Sequence, residues 1–587
     1  MNLPAISHRT SDNYCYALNE NQLIINLKTG YDVVSVELVY ADPFEGGIMG
    51  GKWHWKGQRL AIPFKKELEQ HIWWTTTITP EFKRCKYYFH LKFHDGQEIC
   101  YLEDGFLAPH HLEDQATMKQ MFTFPWLNPI DVVKTPSWVH ETVWYQIFPD
   151  RFANGSNHDK PHIKPWQEGP VTNEEIYGGD LIGIIHKLDY LKELGITGLY
   201  LNPIFLAQST HKYDTTDYYT VDPMFGTNQD LKNLVDQAHQ KGLKVMFDGV
   251  FNHSGTDFFA WKDILQHGRE SRYFDWYMIH HFPFLEQGHR TRNGDYYAFA
   301  FVDTMPKLNT NNPEVIAYFM DVVTFWVNEF DIDALRLDVA NEVSHYFNKE
   351  LHRTLKAMKP DFYILGEIWH DSINWLESHE FDSVMNYPLT SAISNFWLDT
   401  SKNKYQLGHQ VNRCYTMYMQ QTNNALFNLL DSHDTQRLMN RSQGDLDVFY
   451  QQIFLLFSMP GSPCIYYGTE VGLVGEHDPD CRRCMPWNSM EKGLYSDISQ
   501  TIQAIIALRH ANACMQSQHF HFENHFYQLP RLVELLKIDD NGQKIRIILN
   551  ATDQDVYIEV YETLFCHKYF NHTLASGGIL AYEVNLY

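Results

Sequence analysis

The chain reads as an α/β protein built on a (β/α)8 TIM barrel, with a loop domain inserted after the third barrel strand and a β-sandwich on either side. Three observations carry that reading. Eight apolar, strand-like runs alternate with amphipathic helix patterns through the middle of the chain. Regions of short alternating strands precede and follow them. The longest interruption falls between the third and fourth runs, where a long loop in a compact domain is usually functional.

At 587 residues the chain exceeds one ordinary domain. From about 22 to 126, runs such as Val34-Ser35-Val36-Glu37-Leu38-Val39 alternate in polarity and are separated by Gly, Asp and Pro turns, which places a β-sandwich at 1–128. Trp53, Trp55, Trp73 and Trp74 could offer ring faces to sugars or to a partner subunit, although aromatics on strands are more often core. The stretch 125–136 reads as a linker, and the barrel is placed at 129–512. Its strands are expected at 143–148, 198–203, 243–250, 333–339, 363–368, 383–387, 426–431 and 463–467. Leu181, Ile184, Ile185, Leu188, Leu191 and Leu194 recur at helical spacing, predicting one core-facing helix ended by Gly195. The segment 252–312, rich in Phe, Tyr, His and Gly, is the expected inserted loop domain. A final helix at 499–512 precedes a closing β-sandwich at 513–587, with Lys544-Ile545-Arg546-Ile547-Ile548-Leu549 as one of its strands.

A net charge of -25, from 47 Lys+Arg against 72 Asp+Glu, argues against nucleic acid or an anionic membrane as the partner and favours a neutral polar ligand. The start lacks an apolar signal region and no run is long enough to span a bilayer, so a cytoplasmic location is expected. Nine scattered cysteines fit reduced thiols. Cys481-Arg482-Arg483-Cys484 has the spacing of half a zinc site, but no second pair accompanies it. No organic cofactor is expected.

In a closed barrel of this type the chemistry sits at the C-terminal ends of the strands. The third run ends in Asp248 and leads to Asn252 and His253, the fourth carries Arg336 and Asp338, the fifth Glu367, Trp369 and His370, and the seventh Asp431, His433 and Asp434. Arg336 and Asp338 are two residues apart, so on a strand they project from one face. Alone they could be a bracing ion pair; four such endings on one rim point to a site. Several carboxylates with an arginine and histidines are the equipment of glycosidic bond cleavage. Asp338 is the candidate nucleophile, with Arg336 expected to keep it ionised. Glu367, between apolar neighbours that favour its protonated form, could protonate the leaving oxygen and then serve as base for water. Asp434 is the third member, accepting from sugar hydroxyls, while His433 and His253 could donate to the same sugar.

These motifs resemble those of the α-amylase superfamily of retaining α-glycoside hydrolases. Residues 248–253, 335–339, 366–370 and 430–434 resemble its four signature regions in order, and Met305-Pro306-Lys307-Leu308-Asn309 resembles the additional signature of the cyclomaltodextrinase, neopullulanase and maltogenic amylase group. The N-terminal β domain and residues 478–483 are also similar to that group, so the Cys481/Cys484 pair falls in a substrate loop. The resemblance implies Asp338 as nucleophile, Glu367 as acid/base and Asp434 as transition-state stabiliser. It adds Tyr213 stacked on the sugar being cleaved, Asp478 and Arg482 on a donor-side sugar, Trp369 near the acceptor, and Asp248 in the first signature. It further implies hydrolysis of cyclodextrins, maltooligosaccharides and pullulan, at α-1,4 bonds and some α-1,6 bonds, and a homodimer in which the N-terminal domain roofs the partner's site. A transglycosidase, and a non-catalytic sugar-binding protein on the same fold, stay open as alternatives.

Two departures from the family pattern stand out. Ala334 replaces a common glycine. Where many members hold a structural Ca2+, Asn154, Ser156 and Asp159 with Gly178 and Asp180 are the corresponding residues, and Ser156 stands where a carboxylate is often found, which weakens the expected calcium site.

Overall fold

In the computed structural model, residues 1–45, 55–111, 120–156, 160–285, 289–377 and 379–584 are described. They form two compact units, Met1–Lys134 with Lys402–Asn423, and Thr135–Ser401 with Asn424–Tyr587.

The first unit contains a four-stranded and a six-stranded antiparallel sheet. The alternation read in the sequence sets the inward faces: Leu23, Ile25 and Leu27 of one strand and Tyr87, Phe89 and Leu91 of another share one core. Trp73 and Trp74, 6% and 4% exposed, are buried, so neither offers a free ring face; Trp55 is half-buried and Trp53 lies outside the described residues. Residues 402–423 join this unit, with Asn412 Nδ2 donating to Glu67 O at 2.9 Å and Asn13 Nδ2 to Thr416 O at 2.8 Å.

The second unit holds eight parallel strands: β1 (Trp144–Ile147), β2 (Gly198–Leu201), β3 (Lys244–Gly249), β4 (Ala334–Leu337), β5 (Tyr363–Gly366), β6 (Ser383–Val384), β7 (Phe427–Asn428) and β8 (Ser462–Tyr466). They pair in chain order, β8 returns to pair with β1, and the parallel bridge between Met385 and Phe427 closes the ring. Each strand falls within a predicted run or one residue outside it, and all but β8 are shorter, because the last residues of a run leave the ladder to form the functional loops. The bore is filled by Trp144, Tyr200, Met246, Ala334, Tyr363 and Phe427, so the alanine at 334 simply adds a methyl group to a packed interior.

Two helices, α1 (Leu181–His186) and α2 (Leu188–Leu194), replace the single one expected: Lys187, at φ -104° and ψ 3°, breaks the backbone while the apolar spacing runs on across it. Gly195 ends α2 at φ +97°, its N–H returning to Leu191 O and Lys192 O. The insertion 252–312 is folded by a helix at Phe259–His267 and by antiparallel bridges joining Tyr277 to Leu308 and Ile279 to Tyr296, around the ring of Trp261. After a helix at Ser496–Ala511, the C-terminal strands form a six-stranded antiparallel sheet. Among the described residues no helix is long and apolar enough to cross a membrane.

Candidate active site

The strand register sets Asp248 of β3 directly beside Arg336 of β4. Arg336 Nη1 donates to Asp248 Oδ1 at 2.7 Å and to Asp338 Oδ1 at 3.0 Å, and Nη2 lies 2.8 Å from Glu367 Oε2. One buried guanidinium thus joins three strand ends. Asp338 is the residue immediately after β4, and the chain turns there: Val339 sits at φ +47°, a conformation a β-branched residue rarely adopts. That turn aims the Val339 N–H at Glu367 Oε2, 2.9 Å away.

The electrostatics differ from the sequence expectation in two respects. Arg336 alone was expected to keep Asp338 ionised. Burial, with Arg336 opposing it and the charges of Glu367, Asp248 and Asp434 reinforcing it, instead pushes the Asp338 carboxyl well above its ordinary value. The guanidinium is divided among three carboxylates, which no local reading of 333–339 reveals. Glu367, expected in an apolar setting, accepts from the Val339 N–H and from Trp369 Nε1 at 3.1 Å and is ion-paired to Arg336. Its sequence neighbours are apolar, but its spatial neighbours are not. Asp434 is raised by burial against the pull of Arg482 and Arg336.

A second network fixes the far wall. Tyr213 Oη donates to Asp248 Oδ2 at 2.8 Å, accepts from Asn202 Nδ2 at 3.0 Å and lies 2.6 Å from His433 Nε2. Gln146 Nε2 reaches His433 Nδ1 at 2.7 Å, which makes Nδ1 the acceptor and leaves the proton on Nε2, facing Tyr213 and, at 3.2 Å, Asp434 Oδ2. Burial holds the His433 imidazole far below its usual value, so it is neutral. Its ring lies parallel to Tyr213, 7° apart, at 5.3 Å. His253 stands at the same rim but apart from these bonds: its ring stacks on Phe299 at 5.1 Å, its Nε2 is buried without a partner, and burial pushes it down to about 3.

Arg482 closes another side. It pairs with Asp478 at 2.7 Å, lies 3.6 Å from Asp434 Oδ1, and donates from Nε to His433 O at 3.0 Å. Cys481 and Cys484 are free and buried, and Cys481 Sγ contacts His433 O at 3.1 Å, which ties this loop to the strand end that carries His433. Trp369, 50% exposed, lies flat on Tyr387 with ring centroids 3.6 Å apart.

The structure therefore brings Asp338, Glu367, Asp434, Asp248, Arg336, Tyr213, His433, Trp369, Asp478 and Arg482 into one connected set. Sequence reasoning missed Gln146 and Asn202, although both are polar residues at the ends of strand runs, and missed Tyr200, which donates to Asp248 Oδ2 at 2.8 Å from within the bore. Tyr387, whose buried hydroxyl has no partner, carried no local signal.

The residues considered for calcium lie elsewhere, beside α1. Asp180 Oδ1 accepts from Gly155 and Gly183 N–H, and Oδ2 from Ser156 N–H and the Lys160 ammonium. Burial pushes the Asp180 carboxyl up, but bonds from Lys160, Ser156 and Gly183 outweigh it and hold it below the usual range. Ser156 Oγ is buried without a partner, and Asp159 lies outside the described residues. Calcium takes about six to eight oxygen ligands; here the one described carboxylate is saturated and a cation already stands against it. The described members of this set do not fit the ion. Among the described residues no cluster of three or more His, Cys, Asp or Glu could hold a metal.

A parallel barrel whose strand ends gather carboxylates around one arginine defines a class of enzyme, the glycoside hydrolases built on the α-amylase barrel. The chain belongs to the α-amylase family: residues 146–541 match the alpha amylase catalytic domain and residues 1–128 the alpha amylase N-terminal ig-like domain. It is 42% identical over 563 residues to a cyclomaltodextrinase of Geobacillus thermopakistaniensis (strain MAS1), spanning 94% of this chain and 92% of that one. It is 37% identical over 579 residues to neopullulanase 2 of Thermoactinomyces vulgaris, spanning 96% and 94%. Among solved structures it superposes on a cyclomaltodextrinase with a TM-score of 0.87 at 35% identity, covering 99% of this chain and 98% of that one.

Proposed function

We propose that this chain is a retaining α-glycoside hydrolase that opens cyclodextrins and cuts maltooligosaccharides and pullulan, chiefly at α-1,4 bonds. The observation that carries the reading is Arg336 holding Asp338 and Glu367 side by side, at 3.0 and 2.8 Å, on the rim of the barrel. A nucleophile and an acid/base have to flank one glycosidic bond, and the shared guanidinium sets both carboxyl groups on the same rim. Asp338 attacks the anomeric carbon as Glu367 gives its proton to the departing oxygen. Water then loses a proton to Glu367 and displaces Asp338, freeing the sugar. Asp434 and His433 take the hydroxyls of that sugar, and Tyr213 stacks beneath it. Asp478 and Arg482 hold the next donor-side residue.

The enzyme works in the cytoplasm, a reading supported by its nine free cysteines. It forms a homodimer through its N-terminal unit, on whose surface Phe44, Phe64, Phe82 and Trp126 are exposed. Sedimentation as a monomer at micromolar concentration would overturn the dimer. A second reading, transfer to a sugar acceptor in place of water, is favoured by the exposed Trp369 ring beside Glu367.

The test is Asp338→Asn assayed on β-cyclodextrin, pullulan and soluble starch. The variant is expected to keep its circular dichroism spectrum and lose at least about 10⁴-fold in turnover. Near-wild-type turnover overturns the mechanism, and a wild-type preference for starch overturns the substrate assignment.

A further inference from the structure

The corner of the barrel that follows β1 carries its own cation. Asp180 is buried at the N-terminus of α1, where Oδ1 accepts from Gly183 N–H at 2.7 Å and from Gly155 N–H at 3.0 Å. Oδ2 accepts from Ser156 N–H at 3.0 Å and from Lys160 Nζ at 2.6 Å. The same ammonium donates to Gly178 O at 2.5 Å. The Lys160 side chain is only 6% exposed, so its charge is committed to these two oxygens.

The surrounding backbone is closed tightly on this arrangement. A Cβ at Gly155 would meet Gly183 N at 2.4 Å. Gly178 sits at φ +81°, and a Cβ there would stand 3.6 Å from the Lys160 stem and 3.3 Å from Asn154 Nδ2. The loop after β1, the turn at Gly178 and the start of α1 therefore converge on one positive charge.

We propose that Lys160 is a covalently held replacement for the divalent cation expected at this position, so that this corner of the barrel folds and holds without metal. An ammonium on a four-carbon stem cannot be drawn off by a chelator. Its single charge is met by the two oxygens it touches, whereas calcium takes about six to eight oxygen ligands.

Thermal unfolding of the full chain, followed by circular dichroism in EDTA and in excess calcium, tests this, with elemental analysis of the dialysed protein alongside. Wild type is expected to show the same Tm in both solutions and no stoichiometric calcium. Lys160→Met, which strands the buried Asp180 charge, is expected to lower Tm by about 4 °C or more, and Lys160→Arg to recover part of that loss. A Tm of the wild type that falls in EDTA, stoichiometric bound calcium, or an unchanged Tm in Lys160→Met each overturns the proposal. Should Lys160→Met fail to accumulate folded, the wild-type comparison decides the question alone.

Discussion

Arg336 Nη2 stands 2.8 Å from Glu367 Oε2 while Nη1 of the same guanidinium holds Asp248 and Asp338. The planar fork is what lets one residue serve three acids; an ammonium is a point charge and cannot span them. Arg336→Lys is therefore expected to lower kcat on β-cyclodextrin by about 10³-fold or more and to lower Tm, because the site keeps its carboxylates and loses their common partner. Steady-state kinetics with a thermal melt checks this. Retention of more than about a tenth of wild-type kcat would show that the fork is not needed.

The Tyr213 hydroxyl is a junction, donating to Asp248 and sitting 2.6 Å from His433 Nε2. Tyr213→Phe keeps the ring parallel to His433 but takes one hydrogen bond each from Asp248, His433 and Asn202 in a buried site, a loss of about 1–3 kcal/mol. The expected result is a fall of about 10- to 100-fold in kcat/KM with the fold unchanged. Tyr213→Ala, which also removes the stacking surface, should fall further; equal kinetics for the two variants would mean that the ring contributes nothing.

Asp338 carries the pH prediction. Its folded-state carboxyl is raised by burial and by the neighbouring acids, so it contributes stability while protonated. That contribution is complete below the unfolded value of about 3.9 and is lost as pH rises through the higher folded value. Above the unfolded value, seating Asp338 in this site costs the fold stability that Asp338→Asn restores. The inactive variant should melt above wild type at pH 7, with the gap closing toward pH 4. A gap that is constant across this range would remove the titration from the account. For the same reason wild-type turnover should fail on the acid side above the ordinary carboxylate range.

Much of this site was legible in the sequence, and the reason is geometric. A parallel strand delivers its last residues to one rim, so Asp248, Arg336, Glu367 and Asp434 could be read from where their apolar runs stop. What the sequence could not show is how charge is divided once those ends meet. Glu367 looks apolar in sequence, followed by Ile368 and Trp369, yet in space it has an arginine, a backbone N–H and an indole N–H around it. Lys160 was equally invisible, since an exposed-looking lysine in a loop gives no sign that Asp180 and Gly178, about twenty residues on, will enclose it. Gln146 and Asn202 lie within strand runs read by the same rule, but an amide by itself points to less chemistry than a carboxylate.

Trp369 does two things at once, and a pair of variants separates them. Its Nε1 donates to Glu367 Oε1 at 3.1 Å, and its ring, lying on Tyr387, leaves half of its surface open beside the acid/base. An incoming sugar can stack there, whereas water gains nothing from it. Trp369→Phe keeps an aromatic platform and loses the N–H; Trp369→Leu loses both. The ratio of transfer to hydrolysis products at high maltose is expected to fall several-fold in Trp369→Leu and to stay near wild type in Trp369→Phe, while kcat for β-cyclodextrin falls in both, as the donor to Glu367 is gone. Chromatography of the products with initial rates reads both effects. If Trp369→Leu transfers as well as wild type, acceptor sugars bind elsewhere and the ring serves only to hold Glu367.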